Sequence, residues 1–283
     1  MEFTDFLHYG FIQRALVAGV FIALLCSTLG VLLLLRRLSL IGDGLAHVTF
    51  GSVALGLLLR QNPVFVSIPV VMLGSLAILK LAERARVYGD AAIGMISALG
   101  IAVGVLLASS AGGFNIDLFS YLFGNILSIS ESEVITSIAL SFTVLITISI
   151  FYDEFLSASF DEEFAKASGI NTEKINTILA LLTSVTVVLT MKVVGIMLTS
   201  ALLIMPAVTA LQIARGFKKT MLFASSAAIV SVVAGTVISL VVNLPTGAVI
   251  VMLNFIMFML AFSYKISFSG IRKNREIGNP DAS

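Results

Sequence analysis

Charge is scarce in this chain. Only 12% of its 283 residues are Asp, Glu, Lys or Arg, and 58% are hydrophobic. Soluble domains carry roughly 25% charged residues, so ordinary solubility is excluded. Several windows of about 20 residues hold few or no charges, the length a helix needs to cross a bilayer. Strand-period alternation is missing, which excludes a membrane barrel. Cysteine is limited to Cys26, so there is no internal disulfide, and the thiol is left a packing role in the first apolar run. Histidine is limited to His8 and His47, which rules out a three-histidine metal site. No Gly-Lys dipeptide occurs, hence no phosphate loop of the Walker type and no ATPase activity of its own. No Lys or Arg precedes Gly10, and the apolar run that follows extends to Leu35. A secretory signal has a basic start and a shorter core, so residues 11–35 read as a retained membrane helix.

What remains is an all-α polytopic membrane protein. Nine apolar spans are expected, at about 11–35, 40–59, 64–82, 91–109, 133–151, 172–190, 193–213, 221–242 and 246–265, with eight as the alternative. Residues 1–265 form one transmembrane domain, and 266–283 a flexible basic cytoplasmic tail. Placing the N-terminus outside and the C-terminus inside puts 14 of the 17 Lys and Arg residues in inner loops, as the positive-inside rule requires. Arg36 and Arg37 count among those inner-loop cations.

Two connections are longer than turns. Residues 110–132 are amphipathic and aromatic, which predicts a short interfacial or re-entrant helix at the outer face. Residues 153–171 fall on the inner face. There Asp161, Glu162 and Glu163 favour a helix start, and Gly169 a helix stop. An acidic helix at that position has no role in spanning the membrane and reads as a docking element for a cytoplasmic partner.

The polar residues inside spans are few. Asp43 and His47 are four apart, so a helix brings them to one face, and ionisable groups in membrane helices mark functional positions. Carboxylate with imidazole suits manganese, iron or zinc better than calcium or magnesium. Two ligands are too few for a closed zinc site, whereas a weak site suits a path that an ion must leave. An Asp–His hydrogen bond stapling the helix remains the other reading. Gly51 and Gly56, and Gly100 and Gly104, are placed for close helix packing. Asn125, Asn243 and Asn254 read as helix–helix hydrogen-bonding groups. Pro206 should kink the seventh span, and Lys192 can snorkel to the outer interface.

Five motifs follow one another in order: Arg36 to His47, Gly89 to Gly94, Tyr121 to Leu127, Phe160 to Gly169, and Val193 to Ala207. Together they resemble the membrane permease subunit of the manganese/zinc/iron class of ABC importers, over roughly residues 11–265. The resemblance implies a homodimer with a bundle like that of the vitamin B12-type importers, in the cytoplasmic membrane. It implies a cytoplasmic ABC ATPase subunit that supplies ATP hydrolysis, and an extracytoplasmic metal-binding delivery protein. Nucleic acid is not among the partners. Phe160, Asp161, Glu162, Glu163, Ala165 and Gly169 match the family's ATPase-coupling helix. Asp43 and His47 match its acid–histidine motif, and Asp90 in the second motif is a further candidate ligand. The cargo is then a divalent transition metal, with zinc preferred over manganese or iron. The competing class is an ion-coupled secondary transporter, which would need no ATPase but often shows inverted repeats; no clear repeat is visible here.

Overall fold

A computed structural model describes residues 10–84, 88–111, 116–124, 130–191 and 194–277; His8, Asn125 and Lys192 lie outside these ranges. The helices in chain order are α1 Gly10–Leu35, α2 Ile41–Leu58, α3 Pro63–Arg84, α4 Gly89–Ser110, α5 Ile116–Phe123, α6 Glu131–Ile150, α7 Tyr152–Phe160, α8 Glu162–Ala167, α9 Thr172–Thr190, α10 Thr199–Ile213, α11 Phe217–Val242 and α12 Thr246–Ile277. No strand occurs among the described residues. Eight of the helices, α1–α4, α6, α9, α11 and α12, are long and apolar enough to cross a membrane.

The ends of these helices follow from local chemistry. Pro63 opens α3, where a missing N–H costs nothing. Ser130 and Glu133 close a capping box on α6: the Ser130 hydroxyl accepts from the Glu133 amide at 3.3 Å, and the Glu133 carboxylate accepts from the Ser130 amide at 3.0 Å. Asn171 caps α9 by accepting from the Lys174 amide at 3.0 Å. Asn243 ends α11 in the left-handed conformation, φ 58°.

Burial sorts the spans. In α1 and α2, 67% and 72% of the apolar window is buried, against 28% in α3, α4, α6 and α12. The first pair is the centre of the bundle, and the others turn a wide apolar face outward. Asn254 is satisfied inside the bundle: its amide donates to the Ser231 hydroxyl at 2.9 Å and ties α12 to α11, as the sequence suggests.

The seventh expected span departs from expectation. Residues 193–213 do not form one helix. After α9 the chain turns, passes Gly195 at φ +94°, makes a 3₁₀ turn over Ile196–Leu198 and only then enters α10. The 15 residues of α10 rise about 22 Å, short of the ~30 Å hydrocarbon layer. The interruption therefore lies at Gly195, and the helix carries Pro206 in its interior. Non-helical backbone at membrane depth is tolerated where protein covers it; Val194 and Ile196 are fully buried. A second departure is at the C-terminus, where α12 runs to Ile277. The expected flexible tail from residue 266 thus begins as helix, consistent with its lack of Gly or Pro between Gly270 and Gly278.

Candidate functional site: an acid–histidine pair and a short acidic helix

α2 carries Asp43 in its first turn, where the positive helix end favours a carboxylate. His47 follows one turn later. Its Nε2 lies 3.7 Å from Asp43 Oδ2, beyond the 2.7–3.2 Å of an N–H···O hydrogen bond. The pair therefore does not staple the helix by a hydrogen bond. Two ligand atoms bound at 2.0–2.2 Å to one tetrahedral ion stand about 3.4 Å apart, so the spacing is close to that of ligands sharing an ion. The Asp43 side chain is half exposed and that of His47 is one-quarter exposed, so the pair is reachable.

The position of the pair is fixed by α4. A Cβ on Gly100 would lie 2.8 Å from the His47 carbonyl oxygen, and one on Gly51 would lie 2.7 Å from that of Gly100. Gly44 faces the side chain of Ile93, whose Cγ2 would lie 2.6 Å from an added Cβ. Contacts that advance together along both chains make α2 and α4 parallel. Small residues let the two backbones approach, as Gly51, Gly100 and Gly104 suggest in the sequence. Asp90, three residues before Ile93, consequently sits at the same end of the pair as Asp43, with an exposed side chain. Among the described residues no group of three His, Cys, Asp or Glu side chains converges on one point.

The short helix at 162–167 forms as the sequence predicts. Asp161 Oδ1 accepts from the Phe164 amide at 2.9 Å, Glu162 and Glu163 occupy the first turn, and Gly169 takes φ +88° just beyond the end. α7 directly precedes it, an element not foreseen. Ala165 is fully buried, whereas Phe160 and Phe164 are 68% and 67% exposed. Phe160, whose ring meets Phe217 edge-on at 6.4 Å, Phe164 and the acidic Glu163 thus leave much of their surface facing outward from the bundle.

Arg36 holds this element in place, a role hidden in the sequence. Its side chain is only 4% exposed. One terminal nitrogen donates to the Ala158 carbonyl at 2.6 Å, the other to Glu162 Oε2 at 3.1 Å. The second Glu162 oxygen takes Lys166 at 3.0 Å and the Thr172 hydroxyl at 3.3 Å. The end of α1, both short helices and the start of α9 therefore meet at the Arg36–Glu162 pair. Lys166 draws the Glu162 carboxyl below its ordinary pKa, with Arg36 and Thr172 adding to the effect against partial burial. Burial pulls the Arg36 guanidinium down and Glu162 pulls it back up. No spacing rule could announce a contact between residues 126 apart.

The opposite end is closed by α5 and the Gly195 segment. A Cβ on Gly195 would stand 2.5 Å from the Leu122 carbonyl oxygen, and Gly247 abuts the Val194 carbonyl. Leu118 and Leu122 of α5 are buried, so α5 is a packed element folded over the bundle end.

Comparison with known proteins agrees with this architecture. The pattern of the family described as "ABC 3 transport family" matches residues 8–265. The manganese transport system membrane protein MntC of Listeria innocua is 33% identical over 91% of this chain and 92% of its own. The high-affinity zinc uptake system membrane protein ZnuB of Haemophilus influenzae is 30% identical over 87% and 95%. The solved structure titled PsaBC from Streptococcus pneumoniae in complex with Fab superposes with a TM-score of 0.81 at 31% identity, covering 92% of this chain and 94% of that one. On these grounds the chain belongs to the ABC 3 transport family and is a multi-pass membrane permease subunit, not an enzyme.

Proposed function

We propose that the chain forms the translocation path of an ATP-driven importer for a divalent transition metal, and that Asp43 and His47 hold the ion in transit. The observation that carries this is their spacing: two unlike ligands 3.7 Å apart, reachable and not hydrogen-bonded to each other. Carboxylate plus imidazole suits manganese, iron and zinc, and the relatives above are manganese and zinc proteins. An incomplete ligand set binds weakly enough to release. Asp90, at the same end of the α2–α4 pair, is the further carboxylate that would complete it.

In this reading the end carrying α8 faces the cytoplasm. A separate ABC ATPase docks on Phe160, Phe164 and Glu163, and a delivery protein meets the end closed by α5. Two copies of the chain enclose the path. Movement of the docked helix reaches α1 through Asp161, Glu162 and Arg36, and the bundle alternates between its two openings.

The test is uptake of zinc and manganese, measured in parallel in cells lacking their own importer, with the ATPase and delivery protein co-expressed. Asp43→Ala and His47→Ala should each lower uptake of one metal at least tenfold at matched membrane expression and ATPase assembly. Normal uptake in both would remove the pair from the ion path. An Asp161/Glu162/Glu163 triple alanine variant should hydrolyse ATP without uptake, and intact uptake would sink the coupling role.

A further inference from the structure

The chain contains no Asp or Glu between Lys174 and Arg275, yet that stretch carries Arg215, Lys218, Lys219 and Lys265. Among the described residues none of these four forms an ion pair. Two of them, Lys218 and Lys219, occupy the first turn of α11, where the positive helix end disfavours cations. The positive-inside rule accounts for which side of the membrane they lie on, but not for cations in the first turn of a helix or for the lack of any carboxylate partner among the described residues.

The three helices beside these cations, α10, α11 and α12, line an open apolar groove of about 410 Å³. Ile213 of α10, Phe223 and Ala227 of α11, and Leu260, Ala261 and Tyr264 of α12 are among its walls. Each wall ends in a cation at the same end of the bundle. Arg215 lies two residues beyond Ile213. Lys219 lies one turn before Phe223, on the same face of α11. Lys265 follows Tyr264, and its ammonium donates to Gln212 Oε1 at 3.0 Å, bridging α12 to α10. An apolar trough between helices of a membrane bundle, ending in cations that have no carboxylate partner among the described residues, has the chemistry of a lipid rather than of a protein partner. A cytoplasmic subunit would reach the cations and leave the trough unfilled. A two-fold partner presenting the same face would set cations against cations, which is costly.

We propose that the α10–α11–α12 groove binds an anionic phospholipid of the cytoplasmic leaflet, its acyl chain along Phe223 and Leu260 and its phosphate between Lys219, Lys265 and Arg215. Basic pockets between membrane helices on the cytoplasmic side have this preference. The assignment uses the orientation stated above, but its test involves no metal, so its failure would leave the transport reading standing.

The experiment is native mass spectrometry of the full chain with its co-purifying subunits, exchanged into phosphatidylglycerol or phosphatidylcholine and stripped by increasing collision energy. The wild type should retain phosphatidylglycerol at least tenfold better than phosphatidylcholine. The Arg215→Gln/Lys219→Gln/Lys265→Gln variant should bring the two close to parity, and Ala261→Phe, which fills the trough, should lower retention of both. Thermal stability of the wild type, titrated with each lipid, gives a readout independent of any variant and should rise with phosphatidylglycerol only. Equal retention of the two lipids by the wild type would overturn the proposal. So would an unchanged lipid preference in the triple variant accompanied by loss of a soluble subunit, which would give the cations to that partner.

Discussion

The two ends of the bundle are closed by different chemistry. At the α8 end, a buried guanidinium, an N-cap and a carboxylate with three partners join α1, α7, α8 and α9 through directional bonds. At the α5 end, Gly195 and Gly247 let backbones of three segments lie against one another with no side chain between them. Directional bonds hold an angle and transmit a displacement. Bare backbone contact holds a distance only, and can part and re-form without breaking a charged bond. On the transport reading proposed above, the first kind of joint suits the end where force would enter and the second the end where the path would open.

The sharpest way to break this contrast is to give both ends the same substitution. Gly195 and Gly169 both take a positive φ, +94° and +88°. Around Gly169 there is open space, whereas the Gly195 position faces the backbone of Leu122 to Gly124. Gly169→Ala should cost only the strain of the conformation, about 1 kcal/mol. Gly195→Ala adds a collision with backbone that has no rotamer to escape into, and should cost about 3 kcal/mol or more. Unfolding in detergent, followed by denaturant titration, separates them. Equal losses would mean that the α5 end tolerates a side chain and is not a close-packed seam.

Next in size is Arg36→Met, which keeps the length of the stem and removes both bonds. Glu162 is 43% exposed and water can reach it, so the loss falls below that of a fully buried pair, at about 2 kcal/mol. The functional effect should be larger: ATP turnover by the assembled complex persists while uptake per ATP falls several-fold. Arg36→Lys satisfies one partner but not the fork and should recover part of the ratio. Uptake per ATP equal to wild type would make Arg36 structural only. Asp161→Ala removes the cap of α8 and should cost about 1 kcal/mol, visible as faster amide exchange over residues 162–167 with α9 unaffected.

The α8 joint was legible in part because its signals are local. Asp161 three residues before Phe164, the acidic first turn and Gly169 at the stop are capping chemistry, and they set the helix where it is found. The Asp43–His47 pair was legible for the same reason, through helical spacing alone. Arg36 was not: a cation at the end of an apolar span looks like any topology signal, and its partner is 126 residues away. The break at Gly195 was hidden for another reason. Hydropathy measures transfer from water, and Val193 to Leu198 is apolar whether helical or not, so 193–213 read as one span. Whether Asp90 approaches Asp43 depends on side-chain reach at the α2–α4 contact, which periodicity does not encode.

The smallest expected effect concerns the protonation of Glu162. Its carboxyl sits below the ordinary carboxylate range, first through Lys166 and then through Arg36 and Thr172. A depressed folded pKa gives stability that is present above the unfolded pKa, near 4.3, and lost as pH falls through the folded value. The joint should therefore be unchanged between about pH 8 and pH 5 and loosen only in stronger acid. Lys166→Ala removes the first cause and should move that loosening upward toward the ordinary carboxylate value. Lys166 and Glu162 are exposed and four residues apart, a pair worth about 0.3–0.5 kcal/mol, so the shift should be small. Amide exchange of α8 at stepped pH reads it directly, and loosening already near neutrality would show that Glu162 is not the residue on which α1 and α8 are joined.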